Sequence, residues 1–282
     1  MLKTGIFCGI SIRKYREIAM CKKKYLFFDI DGTLAAGGYE NFYIPDSTVI
    51  ALQNLKKAGH FLCIATGRAQ ALAVDIMNEL GFENMVSDGG YGITINKTLL
   101  GIKPLPKENV VTLIRECQEK GYPWGIQPEN SAVRYVPDDR FNEIAKDTYM
   151  DQKIVNGLNP EDYENIYKAY VACRAEEEKN LKALENLPCC RFHERYLFIE
   201  PSYKSVGIKK IMDYFKADYN DAVVFGDSGN DISMFTDDWT KVAMGNAIPE
   251  LKKLADYVTS DVDKDGIYNA CEKLGLFDTV AC

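Results

Sequence analysis

Apolar residues fall along this chain in short blocks whose spacing changes twice. Near the start, "YLFF" (Tyr25 to Phe28) is an unbroken apolar run that stops at Asp29, the pattern of a strand buried on both faces. The next block, "PDSTVIALQNLKKAG", puts Val49, Leu52, Leu55 and Ala58 at helical spacing, with Asp46 or Ser47 placed to cap its start and Gly59 its end. "HFLCIAT" is a second buried strand ending at Thr66, and "RAQALAVDIMNELGF" a second helix stopped by Gly81. This alternation predicts an α/β fold built on a doubly wound, Rossmann-like parallel sheet.

The same grammar returns towards the C-terminus. "SVGIKKIMDYF" reads as a helix, "AVVFGD" as a strand stopping at Gly226-Asp227, "NDISMF" as a helix and "KVAMG" as a strand. "ADYVT" and "GIYNACEKLG" close the chain with a strand and a helix. The middle differs. "YGITINKTLLG" predicts a hairpin turning at Asn96-Lys97, "NVVTLIRECQEKG" a helix, "SAVRYV" and "YKAYVAC" alternating strands, and "CCRFHERYLFIEP" two more. The expected organisation is an N-terminal extension outside the fold (1–19), a core from 20–87 and 200–282, and an inserted α+β cap domain (88–199). Gly89-Gly90 and Pro201 are the expected hinges, and "MCKKKYLFFDID" reads like a natural start.

Composition narrows the classes. A net charge of −7 argues against a non-specific nucleic-acid binder. No apolar run approaches the length needed to span a membrane. The nine cysteines are scattered with no C-x-x-C pair, and adjacent Cys189 and Cys190 are poorly placed for an ordinary disulfide, so reduced thiols in a cytoplasmic protein are expected. A monomer or weak homo-oligomer is the expectation.

In open parallel sheets, sites form beyond the carboxyl ends of the strands. The polar residues there are Asp29, Asp31 and Thr33 after the first strand; Thr66, Gly67 and Arg68 after the second; and Asp227, Ser228, Asn230 and Asp231 after the late one. Lys204 precedes the helix that opens the late half. Two like charges about 4 Å apart repel by roughly 4 kcal/mol at an effective dielectric of about 20, so converging carboxylates protonate or take up a cation. Oxygen ligands favour Mg²⁺ or Ca²⁺, and Mg²⁺ commonly shares its shell with a phosphate. Thr66 and Lys204 are suitable phosphate donors, so the residues point to metal-assisted phosphoryl transfer. One carboxylate can attack phosphorus and another can move protons.

"FFDIDGTL", "ATGR", the lysine of "YKSVG" and "GDSGND" resemble, in order, the four motifs of the haloacid dehalogenase superfamily of phosphatases. One insertion of this size between the second and third motifs resembles the Cof-like subfamily, class IIB. The resemblance implies a role for each matching position. Asp29 would be nucleophile and Mg²⁺ ligand; Asp31 would be general acid/base, lending its backbone carbonyl to the metal. Thr66 would bind the transferring phosphoryl group, with Gly67 and Arg68 beside it. Lys204 would neutralise phosphoryl charge, Asp227 would bind Mg²⁺, Asp231 would support the metal directly or through water, and Asn230 would help position phosphate or Lys204. The implied function is hydrolysis of a sugar phosphate or a flavin or nucleotide monophosphate through an aspartyl phosphate. A phosphomutase or phosphotransferase, and a non-catalytic phosphometabolite sensor, remain as alternatives.

Two positions depart from the family pattern. Asp88-Gly89 stands where Asn-Gly is common, and two residues separate Lys204 from Gly207, which leaves Lys209 and Lys210 as competing lysines. In the cap, Trp124, Gln127, Arg134 and Tyr135 are candidates to line the pocket, although core packing accounts for the aromatics as well. Finally, "DVDKDGIYNACE" (Asp261 to Glu272) fits the acidic positions of an EF-hand loop. An EF-hand needs an entering helix, and "ADYVTS" reads as a strand, so helix N-terminal acids are the expectation there.

Overall fold

The computed structural model describes residues 22–38, 41–146 and 149–280, and the expected 1–19 extension lies outside them. Tyr25–Phe28 forms β1, whose Leu26 and Phe28 enter one apolar layer while Phe27 enters the other. A strand covered on both faces needs that uninterrupted apolar run. Helix α1 (Asp46–Ala58) follows and ends at Gly59, whose φ of 99° suits a residue without a side chain. Neither Asp46 nor Ser47 caps its start: Pro45 holds the N-cap position with no side-chain cap. Then come β2 (Phe61–Ala65), α2 (Gln70–Glu79) and β3 (Asn84–Ser87).

The chain next reverses through Asp88, Gly89 and Gly90, with φ of 51°, 59° and 107°. It returns as β4 (Gly92–Ile95), turns at Asn96-Lys97 with both φ positive, and runs back as β5 (Thr98–Ile102). This hairpin was expected to open the cap. It extends the large sheet instead, because the reversal lays β4 antiparallel on the free edge of β3.

A second apolar core starts at Leu105. It contains α3 (Lys107–Lys120), β6 (Trp124–Gln127), β7 (Val133–Val136), α4 (Arg140–Ala145), β8 (Asp151–Ile154), β9 (Lys168–Val171), β10 (Cys189–His193) and β11 (Tyr196–Ile199). These strands form a six-stranded sheet in the order β10-β11-β9-β6-β7-β8. The chain then re-enters the first layer as α5 (Lys204–Tyr214), β12 (Ala222–Gly226), β13 (Thr240–Ala243), α6 (Pro249–Leu254), β14 (Tyr257–Val258) and α7 (Gly266–Lys273). "NDISMF", expected as an α-helix, is a tighter 3₁₀ segment, Gly229–Met234.

The large sheet has eight strands in the order β14-β13-β12-β1-β2-β3-β4-β5. The six from β14 to β3 are parallel, β4 runs against them, and β5, antiparallel to β4, runs with them at the edge. β1 lies between β12 and β2, where the winding reverses, and the crevice at such a switch point is where ligands bind. The chain leaves the large sheet after β5, not at the expected Gly89-Gly90 hinge, and on its return it packs against the Asp88–Gly90 reversal. Tyr203 N–H donates to the Gly89 carbonyl at 2.8 Å. A methyl on Gly89 would lie 1.7 Å from the Pro201 carbonyl oxygen, so this position excludes a side chain.

Among the described residues, Cys63, Cys117, Cys173, Cys189, Cys190 and Cys271 are unpaired thiols. No described helix is long and apolar enough to cross a membrane.

Candidate active site

β1 delivers Asp29 to the crevice, and its backbone N–H donates to the Phe225 carbonyl of β12 at 3.1 Å. The side chain is almost completely buried. Lys204, the first residue of α5 and fully buried, places Nζ 2.6 Å from Asp29 Oδ1 and 2.6 Å from Asp231 Oδ1. The other oxygen of Asp231 accepts the backbone N–H groups of Asp227 and Ser228 at 2.9 and 3.0 Å. Asp231 therefore anchors the lysine and closes the turn after β12. Lys209 reaches outwards to Asp238, and Lys210 borders a separate surface cleft, so of the three lysines Lys204 occupies the crevice.

Asp227 leans in from the end of β12 and accepts the Thr33 hydroxyl at 2.9 Å. Oxygens of Asp29, Asp227 and Asp231 lie within 4.8 Å of one another. The approach depends on Gly32, with φ of 84°, where an added Cβ would sit 2.3 Å from Asp227 Oδ2. Burial raises the pKa of Asp29 well above the usual carboxylate range; Lys204 opposes this, while Asp231, Asp227 and Asp31 add to it. Burial and the charge of Asp231 push Asp227 up to about 7. On Lys204 burial acts downwards, but Asp231 and Asp29 outweigh it and keep the amine charged. Three crowded carboxylates facing a single ammonium make an oxygen-only donor set with unbalanced negative charge, which fits a hard divalent cation.

Asp31 stands apart from this trio. Its two carboxylate oxygens accept from Arg68 Nε and Nη2 at 2.8 and 2.6 Å, a two-pronged pair. Arg68 is stacked over the Phe42 ring, 5.2 Å from its centre. From sequence only its main-chain carbonyl was assigned to the metal, and its carboxylate pairs with Arg68. Thr66 is buried at the end of β2, and its Oγ1 accepts the Arg68 backbone N–H at 3.1 Å, which leaves the hydroxyl hydrogen to donate elsewhere. Asn230 Oδ1 accepts from the Ser228 hydroxyl at 2.7 Å.

These residues surround a cavity of about 220 Å³. The large sheet supplies Asp29, Asp31, Thr66, Gly67, Arg68, Ser228 and Asn230 to its wall; the chain around the smaller sheet supplies Tyr149, Phe198 and Glu200. A larger groove of about 1090 Å³ lies on the cap around Lys120–Pro123 and Ala172–Glu177, and none of the strand-end aspartates borders it. The reversal between β3 and β4 is bonded to the site: Asp88 N–H donates to the Arg68 carbonyl and Gly89 N–H to the Thr66 carbonyl, at 2.9 and 3.2 Å. The Asp88 side chain accepts from Ser87 Oγ and from the Gln70 N–H, so the departure from Asn caps α2 from a buried position.

Tyr149, Phe198, Glu200 and its partner Lys168 were not found from sequence. Glu200 directly follows a strand, so the rule applied to the core strands would have found it in the cap. Conversely, Trp124, Gln127, Arg134 and Tyr135 do not line the cavity. Trp124 and Tyr135 pack in the cap core, Gln127 accepts from the Tyr170 hydroxyl, and Arg134 lies among the rings of Phe141, Tyr170 and Tyr196. The calcium-like stretch follows β14 rather than a helix, and Asp261 Oδ2 pairs with Lys264 Nζ at 2.5 Å.

Comparison with known proteins agrees with this geometry. The haloacid dehalogenase-like hydrolase profile matches residues 26–271. YkrA of Bacillus subtilis strain 168, which carries a provisional phosphatase name, is 35% identical over 257 residues, covering 90% of this chain and 98% of that protein. A hypothetical protein from Geobacillus kaustophilus HTA426 superposes with a TM-score of 0.78 at 32% identity, covering 90% of this chain and 99% of the other. The subclass IIB sugar phosphatase BT4131 superposes with a TM-score of 0.74 at 28% identity, covering 90% and 100%. Such matches run through both sheets and every motif, and the chain belongs to the haloacid dehalogenase-like hydrolase family as a hydrolase of the phosphatase type.

Proposed function

We propose that the protein is a Mg²⁺-dependent phosphatase of small phosphomonoesters that works through a phosphorylated Asp29. The observation that carries this reading is the buried Asp29 carboxylate held between Lys204 and Asp227. A carboxylate so placed has one oxygen steadied by an ammonium and a strong reason to meet a cation. Asp29 and Asp227 would hold the ion, with the Asp31 main-chain carbonyl, and Mg²⁺ supplies the charge neutralisation that lets one anion approach another.

Asp29 attacks phosphorus, and the bond to the leaving oxygen breaks as Asp31 gives that oxygen a proton. Asp31 then takes a proton from water, which attacks the acyl phosphate and releases inorganic phosphate with Asp29 restored. Arg68 holds the Asp31 carboxylate at the cavity wall. Thr66 donates its free hydroxyl hydrogen to a phosphoryl oxygen, Gly67 and Asn230 border the same group, and Lys204 offsets its charge. Asp231 anchors Lys204 and, from the same carboxylate cluster, would support the metal directly or through water.

A cavity of about 220 Å³ is below the roughly 300–1,000 Å³ of drug-sized sites, which favours a small leaving group. The test is phosphate release from a panel of phosphorylated metabolites with Mg²⁺ and with a chelator. Hydrolysis that disappears with the chelator is expected. Transfer of the phosphoryl group to a second hydroxyl, without free phosphate, would overturn hydrolysis in favour of a mutase.

A further inference from the structure

Two charged residues at one end of the cap sheet have no part in the chemistry above. Ile199 of β11 lies opposite Ala169 of β9, so Glu200 and Lys168, one step further along each strand, meet across the ladder. They form an ion pair, with both residues almost fully buried. Taking two charges out of water costs several kcal/mol per ion unless further hydrogen bonds complete their shells. The third partner is therefore informative. Lys168 Nζ also donates to the Gly67 carbonyl at 2.7 Å, so the ammonium ties the cap to the residue after Thr66. Burial pulls the Lys168 pKa down, but Glu200, Tyr170 and Asp88 outweigh burial and the net shift is upwards, so the amine stays charged.

Glu200 is also part of the cavity wall. A methyl on Gly67 would sit 3.5 Å from Glu200 Oε1 and 3.2 Å from Asn230 Nδ2, which places that oxygen beside the phosphoryl end of the cavity. Its protein donor there is the Cys190 thiol at 3.3 Å, a weak one. A carboxylate oxygen with capacity left over accepts readily from an alcohol. The Lys168 charge removes the repulsion that a lone carboxylate would exert on a phosphate ester. Tyr149 and Phe198, whose rings meet edge to face at 6.1 Å, offer an apolar face to carbon beside it.

We propose that Glu200 reads the leaving group by accepting a hydrogen bond from one of its hydroxyls, while Lys168 is the positioning residue that fixes Glu200 and links it to the Thr66–Gly67 turn. The substrate class is then a phosphomonoester of a small polyhydroxylated alcohol, a refinement that rests on the phosphatase reading. An ester without hydroxyls leaves the Glu200 oxygen desolvated and poorly paired, the kind of loss by which sites reject analogues.

The test compares kcat/KM for ribose 5-phosphate and a hexose 6-phosphate with that for p-nitrophenyl phosphate, with Mg²⁺, in wild type and Glu200→Ala. The ratio favouring the hydroxylated esters is expected to fall at least tenfold. An equal fall on all esters, or an unchanged ratio, would overturn the proposal. Because Glu200→Ala strands a buried ammonium, the double variant Lys168→Met/Glu200→Met is the second measurement. It removes both charges, and the same collapse of the ratio is expected with thermal stability retained. Wild type inactive on every ester would overturn the phosphatase reading itself, a result distinct from any change in the ratio.

Discussion

Lys204 Nζ lies 2.6 Å from Asp29 Oδ1, although 175 residues separate the two in the chain. The ammonium steadies one oxygen of the carboxylate, and in the proposed mechanism the second attacks phosphorus. Replacing Asp29 by Asn would remove that nucleophile while keeping its shape. Turnover of p-nitrophenyl phosphate is expected to fall by at least about 1000-fold, with an unchanged circular dichroism spectrum. Substantial Mg²⁺-dependent activity in Asp29→Asn would exclude the aspartyl-phosphate route.

Lys204→Met has a different signature. It leaves Asp29 and Asp231 buried without their shared counter-charge, and breaking such a network costs about 3–5 kcal/mol. Chemical denaturation should show that loss alongside lost activity. Wild-type stability in this variant would mean that the carboxylates are not held by the lysine.

As a proposed metal ligand, the Asp227 carboxyl would couple pH to metal binding. Its folded-state pKa is raised from 3.8 to about 7, so its contribution to stability is full below the lower value and is lost as pH rises through the higher one. A cation binds the ionised form and offsets that loss. The gain in melting temperature from saturating Mg²⁺ should therefore grow between about pH 5.5 and 8. A gain that stays flat over this range would contradict the assignment of Asp227 to the metal.

Gly32→Ala tests the cradle without touching a charged group. Its φ of 84° and a Cβ 2.3 Å from Asp227 Oδ2 leave no room for a side chain. Strain of about 1–3 kcal/mol and displacement of Asp227 are expected. Calorimetric titration should show Mg²⁺ affinity at least tenfold weaker, and native affinity would show that Asp227 is not needed where it stands.

The Asp261–Glu272 stretch should not behave as a calcium loop, since β14 rather than a helix enters it and Asp261 is occupied by Lys264. Titrating Ca²⁺ into Asp227→Asn protein should give no micromolar binding. A clear micromolar isotherm would reverse that reading.

What was legible in the sequence followed from local periodicity. "YLFF", "HFLCIAT" and "AVVFGD" are apolar runs ending in polar residues, and each is a central parallel strand with its site residues at its tip. What was hidden depended on pairing between distant segments. The Gly92–Ile102 hairpin has the same pattern whether it joins one sheet or the other, and only the reversal at Asp88–Gly90 decides it. Asp31 and Asp29 are one residue apart, yet a strand end turns them to different neighbours, Arg68 and Lys204. Lys168 and Glu200 find each other only through the β9–β11 register, which no single stretch of sequence states.

The turn at Asp88 and Gly89 has a mechanical consequence. Two backbone hydrogen bonds fasten it to the carbonyls of Arg68 and Thr66, and Gly89 is also bonded to Tyr203 on the segment that returns from the cap to α5. The chain arriving from the cap is thus moored to the floor of the candidate site. A pull on Tyr203 would reach the Gly89 carbonyl directly and the Thr66 carbonyl through the Gly89 N–H, as a guy rope passes its tension to a peg.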